Sequence, residues 1–256
     1  MNILCVGDVV GSAGCAHLRR LLPVVKRQYA VDLCIVNGEN AADGNGITPA
    51  AAEHILDSGA DAITAGNHTY RRREFYELLD GSPCIIRPGN YPASAPGKGW
   101  CVVDKGRFQV TVINLMGVVY MEPLACPFET LDRLLEEAGH PKFCVVDFHA
   151  EATAEKKALA YNADGRISAL FGTHTHVQTA DGQILPKGTG FLSDAGMTGP
   201  VESVLGIRPE LAIAKMRDKL PVRFATAPGP CMLNAVLFVL DDATGRTVEV
   251  QTLDLR

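Results

Sequence analysis

Five short apolar runs in this chain each stop on residues that carry charge or metal-binding atoms. Residues 3–6 end at Gly7-Asp8 and residues 33–36 at Asn37-Gly38-Glu39-Asn40. Residues 61–65 end at Gly66-Asn67-His68, 143–146 at Asp147-Phe148-His149, and 167–171 at Gly172-Thr173-His174-Thr175-His176. Such runs, apolar at nearly every position, suit strands covered on both faces. Helical spacing follows the first two. It covers residues 12–29, with Ser12 as N-cap, and residues 49–56, with Thr48 as cap and Pro49 at the first helical position. Repeated strand-then-helix units predict a parallel sheet with helices against it.

The rest of the chain turns antiparallel. Residues 84–86 read as a short strand before the Pro-rich stretch 87–99. Residues 100–104 and 109–115 flank Lys105-Gly106-Arg107 as a hairpin, and 128–138, 152–161 and 209–218 read as helices. Residues 183–185 and 190–192 are short strands, 194–200 a flexible Gly-rich loop beside the pocket, and 231–239 with 247–253 a closing antiparallel pair. The expected fold class is α/β: a layered sandwich of mixed β-sheets flanked by helices, in a single domain spanning 1–256.

Composition narrows the function. With 256 residues, 47% of them hydrophobic, the chain can bury a large core. Net charge is −5 and no basic block stands out, which argues against a nucleic-acid polymer or an anionic membrane as partner. None of the eight cysteines forms a C-x-x-C pair, so free thiols in a reducing compartment are expected. Met1-Asn2-Ile3-Leu4 leads directly into a strand, and no apolar run approaches the roughly 20 residues of a membrane span. A cytoplasmic protein is the expectation. The stretch 87–99 or the closing pair would be the surface for any homo-oligomer.

In an open α/β sheet, ligands bind outside the carboxyl ends of the strands. Runs finishing in one direction would gather Asp8, Glu39, Asn40, Asn67, His68, His149, His174 and His176. His174 and His176, one residue apart after a strand, would project the same way. These are oxygen and nitrogen donors with no thiolate, although eight cysteines are available. They suit Mn, Fe, Zn or Mg, and they are too many for one tetrahedral ion. Two ions with a bridging carboxylate would use them all, an arrangement that clamps phosphoryl groups and activates water. Each residue also has a plainer reading: Asp8 as a helix cap, Glu39 and Asn40 as turn residues, Asn67 and His68 as the close of a strand end, His149 as a core histidine, and His174 with His176 as a pair behind the ligands rather than ligands themselves. His17, His54 and His140 lack such a position and read as surface or core histidines.

Gly7-Asp8, Gly66-Asn67-His68 and Gly172-Thr173-His174-Thr175-His176 resemble the signature of the calcineurin-like metallophosphoesterases. Gly7-Asp8-Val9-Val10-Gly11, Asn37-Gly38-Glu39-Asn40, Asp147-Phe148-His149-Ala150-Glu151-Ala152-Thr153, residues 172–179 and residues 194–200 are similar to the bacterial YmdB-like branch. The chain departs from the wider superfamily twice: Val9 and Val10 stand where a His follows the first Asp, and Glu39 replaces the bridging Asp. The resemblance implies that Asp8, Glu39, Asn40 and His176 hold one metal, and Glu39, Asn67, His149 and His174 the other. It implies Fe (Fe3+/Fe2+) or Mn2+, with Zn2+ or Mg2+ as substitutes. It also implies hydrolysis of cyclic nucleotides, 2′,3′-cyclic and also 3′,5′-cyclic, by a metal-bridging hydroxide.

His68 would then be the catalytic acid, or would polarise a phosphoryl oxygen. Asp147, Glu151, Thr173 and Thr175 would orient ligands, and Tyr70 would stack on a base. The substrate would be a small phosphodiester. A phosphomonoesterase or 5′-nucleotidase with the same metals, and a metal-binding regulator with little catalysis, are the competing readings. A dinucleotide or P-loop module fails, because Gly7, Gly11 and Gly14 have the wrong spacing and no Gly-Lys-Ser/Thr follows.

Overall fold

The computed structural model describes residues 1–256. Strands β1 (Asn2–Val6), β2 (Asp8–Val9), β3 (Leu33–Asn37) and β4 (Ala62–Thr64) alternate with helices α1 (Gly11–Gln28) and α2 (Pro49–Asp57). After the short helix α3 (Tyr76–Gly81) come β5 (Trp100–Asp104), β6 (Gln109–Met116), α4 (Pro127–Glu137), β7 (Cys144–His149), α5 (Thr153–Ala163) and β8 (Ala169–Thr173). Then β9 (Gln183–Ile184), β10 (Gly190–Leu192), β11 (Met197–Pro200), α6 (Pro209–Asp218), β12 (Cys231–Leu240) and β13 (Thr247–Leu255) complete the chain.

The strands form two mixed sheets. One runs β2-β11-β12-β1-β3-β4 with β13 against β12, and the other runs β5-β6-β7-β8-β10-β9. Strand alternation decides how they stack. Leu4 and Val6 of β1 face α1 and α2, packing with Leu18, Leu22 and Ile55. Ile3 and Cys5 point the other way, into a layer shared with Val110, Val112, Val145 and Phe171 of the second sheet. The far face of that sheet, with Ile113, Val146 and Phe148, packs on Leu131 of α4 and Leu159 of α5. The result is a helix–sheet–sheet–helix sandwich, the layered α/β class expected from sequence. Burial on both sides explains the uninterrupted apolar runs.

Parallel pairing of β1 with β3, β3 with β4, and β7 with β8 sends their carboxyl ends to one edge. Buried polar bonds tie the two sheets together there. Asn37 Nδ2 donates to Asp147 Oδ2 at 3.0 Å, Thr64 Oγ1 donates to the same oxygen, and the Ala65 N–H reaches Asn114 Oδ1 at 3.0 Å.

Four local expectations are corrected. Ser12 does not cap α1; the cap carboxylate is Asp43 Oδ1, 3.0 Å from the Ser12 N–H, supplied by a loop that sequence spacing does not place there. Residues 84–86 form only an isolated bridge, Ile85 to Ile63, because the chain leaves the sheet edge at once. The stretch 194–200 is not a flexible loop: Met197–Pro200 is the buried strand β11, and its glycines serve close packing. Finally, β8 ends at Thr173, so His174 and His176 lie beyond the strand and its alternation does not govern them. Thr48 caps α2 as expected, accepting from the Ala51 N–H. No helix is long and apolar enough to cross a membrane.

Candidate metal centre

The carboxyl ends of β1, β3, β4, β7 and β8 bring all eight residues together: Asp8 opens β2, His149 closes β7, and the other six lie in the loops that follow β3, β4 and β8. Glu39, fully buried, is the meeting point. Its Oε1 lies 2.9 Å from Asn40 Nδ2, 3.0 Å from His68 Nδ1 and 3.3 Å from His149 Nε2, while Oε2 accepts the His68 backbone N–H at 2.9 Å. On one side, His149 Nε2 stands 2.9 Å from Asn67 Oδ1 and 3.1 Å from His174 Nδ1. Glu39, His149 and His174 each offer a ligand atom, all within 4.8 Å of one another. On the other side, Asn40 Nδ2 lies 3.3 Å from Asp8 Oδ1 and 3.2 Å from His176 Nε2, with Asp8 Oδ1 and His176 Nε2 3.5 Å apart. Only a glycine fits at 66, because a Cβ there would lie 2.3 Å from both Glu39 Oε2 and His149 Nε2.

The two imidazoles of the Thr-His-Thr-His loop part company through their backbone. His174 has φ 100° and His176 φ 62°, both in the left-handed region that non-glycine residues occupy at a cost of about 1–3 kcal/mol each. One ring turns to His149 and the other to Asp8.

Hydrogen bonds behind the rings fix which nitrogens are bare. The Leu205 carbonyl can only accept, so His176 carries its proton on Nδ1, 3.1 Å away, and presents the Nε2 lone pair to Asp8 and Asn40. Thr173 Oγ1 donates to Asp147 Oδ1 at 2.7 Å and therefore accepts from His149 Nδ1 at 2.9 Å. That leaves His149 Nε2 bare against Glu39, Asn67 Oδ1 and His174. The Glu151 carboxylate, 3.1 Å from His174 Nε2, directs the bare Nδ1 of that ring inward. Lone pairs and carboxylates thus converge with few N–H donors among them, chiefly the Asn40 amide and the His68 backbone N–H, an arrangement that a bound cation relieves. The donor set fits metal ions.

Without metal, protons take that place. Burial alone would depress His149, but Glu39, then Asp8 and Asp147, lift it to about 9. Burial also acts against charge on His176, yet Asp8 raises it. Burial, reinforced by the neighbouring His149, pushes His174 down to about 4. Burial would raise Glu39 and Asp8. Instead His149 and then His68 hold Glu39 well below the carboxylate range, and His176 lowers Asp8. A raised His149 pKa means that the metal-free fold binds this proton more tightly than the unfolded chain. The stabilisation is present below about 6.5 and lost as pH rises through about 9. Metal must displace that proton. Calorimetry of Mn2+ binding to stripped protein is expected to show proton release and an affinity that climbs from pH 6.5 to 9; a flat profile would contradict this.

Thr173→Val leaves His149 Nδ1 facing a methyl group. Loss of such a partner typically weakens metal binding about 10–100-fold, and Mn2+ titration of the variant checks it.

Tyr70 is not free to stack on a base. Its hydroxyl donates to the Pro96 carbonyl and its ring packs edge-on against Tyr76 and Tyr91. His17 is buried, His54 half-buried and bonded to the Cys15 carbonyl, and His140 exposed, all outside the centre. Sequence reasoning missed Asn37, Thr64, Asn114 and Lys156. Asn37 was visible as the polar last residue of an apolar run, whereas nothing marked Lys156 as buried.

Two mixed sheets with helices outside, joined at one edge by histidines, carboxylates and asparagines, make this the calcineurin-like metallophosphoesterase fold. The chain belongs to the YmdB-like protein family, whose model matches residues 4–253. The 2′,3′-cyclic-nucleotide 2′-phosphodiesterase of Bacillus subtilis (strain 168) is 45% identical over 254 residues, covering 99% of this chain and 96% of that protein. The crystal structure of a hypothetical protein from Thermus thermophilus superposes with TM-score 0.94 at 40% identity, covering 99% and 98% of the two chains. That of a novel phosphatase from Mycoplasma pneumoniae gives TM-score 0.93 at 32% identity, covering 100% and 93%.

Proposed function

We propose that this chain is a dinuclear-metal phosphodiesterase that opens cyclic nucleotides, 2′,3′-cyclic ones foremost and 3′,5′-cyclic ones as a further class. Asp8, Glu39, Asn40 and His176 would hold one ion, and Glu39, Asn67, His149 and His174 the other, with Glu39 shared. Iron (Fe3+/Fe2+) or Mn2+ suits this nitrogen and oxygen set, and Zn2+ or Mg2+ can substitute. When bound, the ions supply Lewis acidity that polarises a phosphoryl group and lowers the pKa of water. The observation that carries the reading is the convergence of ring nitrogens: His174 Nδ1 and His149 Nε2 face one another beside Glu39, and His176 Nε2 faces Asp8.

The chain's own residues then position and move protons. Water adds across one P–O bond, the cyclic diester becomes a monoester, and the freed ribose oxygen takes a proton from His68. Glu39 orients that ring through Nδ1 at 3.0 Å. Its Nε2 faces the Asn45 and Asn67 side-chain NH2 groups at 3.3 Å, so it passes a proton to substrate only once protonated and turned from those donors to the leaving oxygen. The side chain is 28% exposed, so a bound ester can reach it. Among the proposed ligands only two carboxylates, Asp8 and Glu39, would offset the four or five positive charges of two ions, and the positive remainder favours a phosphodiester monoanion. The 2′-phosphodiesterase activity for which the Bacillus subtilis relative is named supports cleavage of the 2′ ester.

The test compares turnover on 2′,3′-cyclic nucleotides, 3′,5′-cyclic nucleotides and simple monoesters, following products by phosphorus NMR. The expected result is fastest opening of the 2′,3′-cyclic ester to a 3′-monophosphate. Hydrolysis confined to monoesters would make the protein a phosphomonoesterase instead.

A further inference from the structure

Lys156 and Asp194 form an ion pair in which both side chains are almost fully buried, at 2% and 1% exposure. A lysine is seldom buried so completely unless its charge is answered locally. The pair joins α5 to the segment before β11, and its other bonds run to the loop that carries His174 and His176. Lys156 Nζ donates to the Thr173 carbonyl at 2.9 Å and to Asp194 Oδ2 at 2.8 Å. The same Asp194 oxygen accepts the Thr175 N–H at 3.1 Å and the Thr175 hydroxyl at 2.8 Å. One contact thus lies just before His174 and two lie between the histidines. Asp194 is itself fixed: Oδ1 accepts the Gly196 N–H at 2.9 Å, and its backbone N–H and carbonyl bond to Thr179. Gly172 lets the strand end come close enough, since a Cβ there would meet the Ser193 carbonyl and the Lys156 stem.

The loop needs such a hold. His174 and His176 both sit at positive φ, where a histidine does not rest unless its surroundings impose it. Relaxing either residue would swing one imidazole away from His149 or from Asp8. We propose that Lys156 and Asp194 are a positioning pair that clamps residues 173–175, so that His174 and His176 keep the opposed orientations in which two metal ions are retained. This rests on the dinuclear reading above, and the two fail differently: stripped wild type that takes up no Mn2+ refutes that reading, whereas variants matching a metal-binding wild type refute the clamp.

Two variants test it: Lys156→Met, which removes the charge and both lysine bonds, and Thr175→Val, which removes one hydroxyl from a half-buried site and should fold normally. Mn2+ affinity of the stripped proteins is measured by calorimetry, at a temperature where circular dichroism shows each fully folded, beside turnover at low and at saturating Mn2+. A merely structural pair would lower the melting temperature and leave Mn2+ affinity alone. The clamp predicts about 10–100-fold weaker Mn2+ binding in Lys156→Met, a smaller loss in Thr175→Val, and recovery of much of the turnover with excess Mn2+. Wild-type Mn2+ affinity in folded Thr175→Val overturns it, with or without a soluble Lys156 variant.

Discussion

Glu39→Gln is expected to lose bound metal and phosphodiester hydrolysis together. The Glu39 carboxylate touches side chains of both halves of the centre, with Asn40 on one side and His149 on the other. It is acceptor-only and fully buried. A glutamine would turn an N–H donor toward Asn40 Nδ2 or toward the His68 N–H, and it would remove a negative charge that offsets the ions. The loss of Mn2+ affinity should exceed the roughly 10–100-fold that removing an outer partner costs. Calorimetric Mn2+ titration with a parallel assay on a 2′,3′-cyclic nucleotide reads both effects. Near-wild-type affinity in this variant would exclude Glu39 as a shared ligand.

His68→Ala should separate what Glu39→Gln joins. The His68 backbone N–H holds Glu39 Oε2 at 2.9 Å, and alanine keeps that bond. The carboxylate therefore stays in place and metal content should match the wild type. What disappears is the imidazole proposed to give a proton to the leaving oxygen, and kcat should fall about 10²–10⁴-fold, with KM little changed. Full turnover would end the acid role, and loss of metal would mean that the ring is needed to hold Glu39. Leaving-group dependence sharpens the test, because esters of acidic phenols need no proton and should suffer less in the variant.

The strand ends were readable because burial on both faces leaves few reasons for polar residues at one end of an apolar run. Asp8, Glu39, Asn67 and His149 could be placed on that ground alone. Strand alternation would have sent both rings the same way, and it is the positive φ of both residues, beyond the end of β8, that turns them apart. Strain of that kind leaves no mark in a local pattern, since it is imposed by Asp194, twenty residues after His174 in the chain. Met197–Pro200 looked like loop because Gly196 and Gly199 resemble turn punctuation, but Gly199 packs closely against Val10 at the start of α1, and packing rather than flexibility selects it. Lys156 lies in a helix whose other lysine, Lys157, is half-exposed; the sequence offers no way to tell which of two adjacent lysines is buried.

The most direct test of the dinuclear centre is metal removal and return. The purified protein is assayed for bound metals, stripped with a chelator, and assayed on a 2′,3′-cyclic nucleotide before and after Mn2+ or Fe2+ is restored. Two ions per chain as isolated, no hydrolysis after stripping, and recovery in step with the second ion bound are the expected results. Hydrolysis that persists in fully stripped protein, or that saturates with a single ion, would contradict the shared role of Glu39 and the centre built on it.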